Sequence, residues 1–438
     1  MTGVSPRIVV VGAGFAGLSA AERLVEFGAD VVILEARDRV GGRVESQING
    51  LGERVDTGGQ FVCDDMPIVI DLMKRFGVKL IEPAFEGSVI SRPPLPPDAL
   101  GAVTRGSEAL RSLIKTGSVD EARAFGGSVA DWLEAQAATP MQKDAFRSTI
   151  EGLWCRAIEE IPLWHLIDND RRITNEVYEL QYYPAPTMHA VSEMLAAPLG
   201  DRLRLLSPVT AIAWDSSGIR LTIGGGELLE ADAAIVAVPP VTAARIRFEP
   251  ALPGRLPLAL GAWRSGSVVK ALLRYERRFW RDSGRSGTVM WREPAGYFAC
   301  EISAGDDRPT LAFFAGGPSA DDLHAMGPDE IREEILEQIV ATLGPQAGEP
   351  LDMVVRVWTD DPYSAGAYSD LLTMQAPHDA EAVLRVGTTR LRFASSELSP
   401  SFPGYVEGAI IAGRSAADQL LGDLRRAQSA IATSASGS

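Results

Sequence analysis

The chain is poor in the residues that build covalent or metal-held frameworks. Of 438 residues only three are cysteines, Cys63, Cys155 and Cys300. An odd number at wide spacing argues against a disulfide framework or a zinc cluster, and all three read as buried structural thiols. Four histidines, with no His-x-x-x-His and no Cys-x-x-Cys, leave no metal site to expect. Basic residues are outnumbered 58 to 42, a net charge of −16, so the electrostatic footprint of a nucleic-acid binder is missing. No apolar run reaches the ~20 residues that span a bilayer, so no membrane partner is expected. Arg7 followed by the apolar stretch Ile8 to Ala21 could imitate a secretion signal. Three glycines interrupt that stretch, however, and Glu22, Arg23 and Glu26 follow it directly, which suits a glycine loop better. A cytoplasmic location is the expectation. Internal repeats, a P-loop, a Ser-His-Asp set and paired glycosidase carboxylates are all missing too.

What is present has the balance of a globular protein, 46% hydrophobic and 23% charged, and is long enough for two intertwined domains. The strongest local unit is at the start. Ile8-Val9-Val10-Val11 suits a buried parallel strand, and Gly12-Ala13-Gly14-Phe15-Ala16-Gly17 follows as G-x-G-x-x-G. Leu18 to Phe27 carries Leu18, Ala21, Leu24 and Val25 at helical spacing, and Gly28 suits its end. A second β-branched run, Val31 to Leu34, stops at Glu35. In a dinucleotide site Gly12 permits the turn, Gly14 admits a pyrophosphate and Gly17 lets helix and strand pack. The helix start at Phe15 and Ala16 offers N–H groups to phosphate, and Glu35 accepts from ribose hydroxyls while repelling a 2′-phosphate. The motif alone does not separate FAD from NAD.

Leu34 to Arg43 (LEARDRVGGR) resembles the extended cofactor motif of the flavin-containing amine oxidases, and Val55 to Phe61 (VDTGGQF) resembles that family's next Gly-Gly turn. The likeness continues in order: Pro208-Val209-Thr210, Ala234 to Pro240, Ser267 to Lys270 ahead of Phe279-Trp280, Trp358 with Asp361 to Tyr368, Phe393 to Glu397, and Gly404 to Ala409. It runs from about residue 7 to about 420. The cofactor contacts it implies are Gly12, Gly14, Phe15, Ala16, Gly17, Glu35, Ala36, Arg37, Gly42, Arg43, Gly58, Gly59, Gln60, Phe61, Val209, Glu397, Tyr405 and Val406. Arg43 is expected on the pyrophosphate and Glu397 on backbone amides or ribityl hydroxyls; Val406 opens a helix towards the flavin carbonyl. The resemblance also implies Tyr368 and Tyr405 flanking the substrate amine and Lys270 holding a water at the flavin. FAD is expected to be non-covalent, because Ala367 occupies the position where mitochondrial monoamine oxidases carry the linking cysteine. Further departures are Ser395-Ser396 for Gly-Thr, Phe402 for a common tryptophan, and no Gly-Gly turn in Tyr182 to Pro186.

The implied fold class is α/β: a Rossmann-type FAD-binding domain with an interleaved α+β substrate domain of mixed sheet and helices. Residues 1–80, 200–255 and 385–425 are assigned to the first, 81–199 and 256–384 to the second, and 427–438 to a disordered tail. Val209–Ala213, Ile219–Ile223 and Glu227–Glu230 read as an antiparallel meander. Val268–Tyr275, Tyr297–Ile302, Thr310–Phe314 and Met353–Trp358 read as strands of the mixed sheet, 105–200 as mainly helical, and Asp329–Leu343 as an amphipathic helix. Pro93 to Pro97 reads as a stiff crossing loop. The implied reaction is oxidative deamination of a primary amine, with dioxygen returned as hydrogen peroxide. A carbon–carbon desaturase or a non-catalytic flavin scaffold is the alternative. Amino acid, polyamine and arylalkyl amine all remain open, with a simple primary monoamine first; partners are the amine and dioxygen, and a homodimer is left open.

Overall fold

The structure, a computed structural model, describes residues 5–83, 85–96, 98–174, 176–215, 217–303 and 309–436, with side chains as far as 426. The β-branched run at the start becomes β1, Arg7–Val11, the middle strand of a five-stranded sheet. Its neighbours are β2, Asp30–Leu34, on one side and Ala233–Val236 on the other, with Leu203–Arg204 and Leu391–Phe393 outermost. Every pairing is parallel, as expected of strands buried on both faces. Between β1 and β2 the helix α1, Phe15–Glu26, lies against the last helix, Val406–Ser436, so the two ends of the chain share one core.

That last helix corrects one expectation. The stretch from 427, read as a disordered tail, is helical to Ser436, and residues 437–438 lie outside the described residues. Ala427, Ala430, Ala432 and Ala435 explain it, since alanine is the strongest helix former and small size alone does not break a helix. The helix Met188–Ala196 also differs: Met188, Val191 and Leu195 pack with α1 and β1, although 81–199 was assigned away from that core.

The meander forms as read, Val209–Trp214, Ile219–Ile223 and Glu227–Ala231 antiparallel, and Arg247–Glu249 adds a parallel edge. The Tyr182 to Pro186 segment holds a short strand, Tyr183–Ala185, paired with Lys79–Ile81. Of the proline-rich crossing, residues 93–96 lie outside regular elements and 97 is outside the described residues.

The second large sheet has six strands in the order Asp352–Val357, Val268–Arg274, Thr310–Gly316, Tyr297–Glu301, Arg285–Trp291, Ser88–Arg92. One face buries Val269, Ala271, Leu273 and Phe313 against Ile331, Ile335 and Ile339 of the helix Pro328–Leu343. Because side chains alternate along a strand, the opposite face is fixed by register. Lys270 stands opposite Arg356 on one side and Phe314 on the other, and Phe314 opposite Phe298. The next row is Leu272, Ala312, Cys300. This face is turned to the Gly58–Phe61 segment.

Candidate active site

In the glycine loop two glycines have different reasons. A Cβ on Gly17 would sit 1.9 Å from the Gly12 carbonyl oxygen, so helix and loop could not approach as they do. Gly14 has an ordinary φ of −74°, and a Cβ there would meet nothing closer than 3.9 Å. Protein packing therefore does not require a bare backbone at Gly14, whereas a phosphate resting on the loop does. No side chain caps the start of α1 and no acidic residue lies in its first turn, which leaves its N–H groups for an anion. Glu35, buried at the end of β2, accepts the Ala13 N–H at 2.7 Å and the Arg37 N–H at 2.9 Å. Each oxygen keeps a further lone pair for a ribose hydroxyl. The Ser207 N–H donates to the Glu35 carbonyl at 2.7 Å, which brings the segment leading to Val209 alongside.

Arg43 reaches this loop because the Gly41 N–H donates to the Ala13 carbonyl at 2.9 Å. Its guanidinium donates to the Tyr368 carbonyl at 2.7 Å, to Ser396 Oγ at 3.0 Å and to both oxygens of Glu397. Glu397 also accepts the Asp370 N–H at 2.9 Å. Burial alone would raise the Glu397 pKa; the Arg43 charge and hydrogen bonds instead hold it at about 2. Two residues expected on the cofactor thus hold each other. Arg37, expected there too, is ion-paired with Asp361 and stacked on Tyr363, tying the 361–366 loop to the end of β2. Nearby in sequence, the buried Ser395 hydroxyl has no partner among the described residues.

Lys270 is 3% exposed, and its ammonium donates to the Asp56 carbonyl at 2.7 Å, to the Gly58 carbonyl at 2.8 Å and to Gln60 Oε1. Those are all three donors an ammonium has, so a water bonds here only when one contact gives way. Burial lowers its pKa to about 8, against the pull of Asp56, whose own carboxyl burial raises to about 7. The Phe314 ring centre lies 5.5 Å from Nζ. Lys270, Arg43, Gly58, Gly59, Trp358, Ala367 and Tyr368 line one cavity. Tyr368 packs on Cys155, Val268, Trp358 and Ala367.

Tyr405 comes from the turn before the last helix. A Cβ on Gly404 would lie 3.2 Å from the Ser369 Cβ, so the two tyrosines sit on abutting segments. Among the described residues their rings do not touch. Tyr405 meets Phe402 edge-on at 5.7 Å, and its hydroxyl donates to Glu179 Oε2 at 2.5 Å. Phe61 joins the sheet face 6.4 Å from Phe314 and packs with Leu272, Cys300, Ala312, Leu180 and Phe298. No three His, Cys, Asp or Glu among the described residues could hold a metal, and no described helix is long and apolar enough to cross a membrane.

The sequence model of the family described as flavin containing amine oxidoreductase matches residues 15–421. The chain belongs to that family. It is 30% identical to the putrescine oxidase of Kocuria rosea, over 96% of each chain, and 27% identical to the flavin-containing amine oxidase A of Bos taurus, over 95% of this chain and 85% of that one. Cyclohexylamine oxidase from Brevibacterium oxydans IH-35A superposes with a TM-score of 0.87 at 26% identity, over 96% of this chain and 100% of that one. Putrescine oxidase bound to putrescine superposes with a TM-score of 0.83 at 26% identity, over 96% and 99%.

This amine oxidase therefore uses FAD and oxidatively deaminates an amine with dioxygen as acceptor. The bare backbone at Gly14, the uncapped start of α1 and the partnerless Ser395 hydroxyl all fit that cofactor. Ala367 offers no thiol. Cys155 is buried beside it, but burial pushes its thiol pKa up, away from the reactive thiolate. Sequence reasoning missed Glu179, Asp56, Asp370 and Phe314. The alternation along Thr310–Phe314 could have put Phe314 on one face, but which lysine it faces follows only from the register. The polar, turn-rich stretch around Glu179 carries no signal.

Proposed function

We propose that this amine oxidase acts on a primary monoamine with an apolar side chain. The observation that carries this reading is the row Lys270, Phe314, Phe298, backed by Leu272, Ala312, Cys300 and Phe61, an apolar wall flanked by two cations, Lys270 and Arg356. Such a wall binds a hydrocarbon chain and repels a second ammonium. One relative is named for a diamine and another for a cyclic monoamine; the apolar wall favours the second kind of substrate.

Tyr368 and Tyr405 are the two rings of the substrate slot. Burial raises both phenol pKa values well above normal, so the rings stay neutral, and a slot of that polarity selects the uncharged, reactive amine. Their electron-rich faces restrict the amine to one line of approach. Bound FAD supplies the acceptance of a hydride equivalent from the amine α-carbon and the return of two electrons to dioxygen. The released imine hydrolyses in water. Arg43 and Glu397 brace the segments carrying Tyr368 and Asp370, with Arg43 able to turn a donor to pyrophosphate. Lys270 keeps a buried positive charge against the Gly58 turn, where it stabilises negative charge developing during oxygen reduction. Residues 1–80, 200–255 and 385–425 form the cofactor-holding part, supported by the five-stranded sheet drawing strands from each. A reducing, cytoplasmic setting is supported by three cysteines that are free and buried.

The test is anaerobic mixing of the holoenzyme with n-butylamine, benzylamine, putrescine and an amino acid, following loss of flavin colour, then aerobic peroxide release. Benzylamine and n-butylamine should reduce the flavin fastest. Preference for putrescine would overturn the substrate class, and bleaching without peroxide would overturn the acceptor.

A further inference from the structure

Glu179 meets Tyr405 in a way that packing alone does not explain. The residues before and after it are pinned: Asp65 accepts the N–H groups of Glu176 and Val177 at 2.9 and 3.2 Å, and Tyr182 and Val62 exchange two backbone hydrogen bonds of 2.9 Å. Gln181 exchanges two more with Asp64, both 3.0 Å. The 176–182 loop is thus stapled to the chain just beyond the Gly58–Phe61 turn. From this loop the Glu179 carboxylate accepts a hydrogen bond from the Tyr405 hydroxyl at 2.5 Å, while Phe402 fixes the same ring from its edge.

We propose that Glu179 is a positioning residue for Tyr405, resting on the reading that Tyr405 walls the substrate slot. A carboxylate acceptor makes the strong, short kind of hydrogen bond. It sets the rotation of the phenol ring and draws the hydroxyl proton outward, leaving more electron density on the ring face that meets the amine. The bond also couples the cofactor-side turn to the start of the last helix, so the slot keeps its width when the amine enters.

The test uses the full-length holoenzyme with Glu179→Gln, Tyr405→Phe and the double variant. FAD content and Tm establish that each folds. The limiting rate of anaerobic flavin reduction and the apparent Kd are measured with n-butylamine and with putrescine. Titration with tert-butylamine, which has no α-hydrogen, reads slot binding through the flavin spectrum without turnover. Glu179→Gln should lower the limiting rate roughly tenfold for both amines alike and weaken tert-butylamine binding. In the Tyr405→Phe background the same change should add less than about twofold, because the hydroxyl it serves is gone. Glu179→Asp should recover most of the rate. Additive effects, a loss confined to putrescine (which would make Glu179 an ammonium ligand), or equal losses in the Gln and Asp variants would overturn the proposal. Unimpaired Tyr405→Phe would show that the hydroxyl held by Glu179 is dispensable and overturn the proposal, while leaving the ring's place in the slot untouched.

Discussion

The glycine loop and the sheet face opposite it are held by opposite means. From Gly12 to Glu35 the loop closes on its own backbone: Gly17 lies against the Gly12 carbonyl, and the buried charged side chain at its far end, Glu35, accepts two nearby N–H groups. The face carrying Lys270 is joined to the cofactor motifs by long charged side chains, Lys270 to Asp56 and Gly58, Arg43 to Glu397 and Tyr368, Arg356 to Glu45. In the first region the device is a missing atom, in the second a buried charge. The loop should therefore tolerate lost charge but not added volume, and the face the reverse.

Removing Arg43 is the strongest way to break that contrast. Arg43→Ala leaves Glu397, whose side chain is 1% exposed, without its counter-charge. A stranded buried charge costs about 3–5 kcal/mol, and the lower end is expected because Arg43 keeps some water contact. The purified variant should melt markedly lower and carry little flavin; a wild-type Tm would mean the face is held elsewhere. Within the loop, Gly17→Ala should cost about 1–3 kcal/mol through overpacking. Gly14→Ala should leave the Tm of the FAD-free protein within about 0.5 kcal/mol and yet lose FAD, since only the ligand needs that space. If both alanines melt alike without FAD, the distinction between the two glycines is void.

Lys270→Met sharpens the comparison from the other side. Lys270 is cationic below its pKa, which burial lowers to about 8. As pH rises through about 8 that charge is lost, so flavin reoxidation should slow over the same window while reduction changes less. Because Asp56, raised by burial to about 7, titrates with it, the inflection belongs to the pair. In Lys270→Met reoxidation should already be slow and the inflection gone; equal slowing of both half-reactions would count against the assigned role.

What the sequence made legible follows the same division. Strand, loop, α1 and β2 could be read because each rests on rules that act within a few residues: β-branching, glycine geometry, helical spacing. Arg43, Glu397 and Lys270 were each legible as motif members, but their partners were not, because a hydrogen bond between residues 43 and 397 depends on how distant strands register. Ser88–Arg92 and Arg285–Trp291 carry no strand signal, since an arginine and Gly287 blur their alternation and the residues that pair, such as Ser91 with Met290, lie far apart in the sequence. Glu179 belongs to no periodic element, so nothing in its neighbourhood announces it.

The smallest effect is expected at Cys155, where the two means of holding meet. Its thiol packs beside Ala367 and Tyr368, next to the position where the linking cysteine of the mitochondrial monoamine oxidases is expected. A thioether would need the thiolate, and burial pushes this pKa up, which disfavours the nucleophilic form. Acid precipitation should therefore release all of the flavin into the supernatant, from wild type and from Cys155→Ser alike. Yellow colour in the wild-type pellet that disappears with Cys155→Ser would show a covalent hold supplied from a helix end rather than from the position of Ala367. Cofactor retention would then rest on a bond instead of on the loop's open backbone and the charge of Arg43.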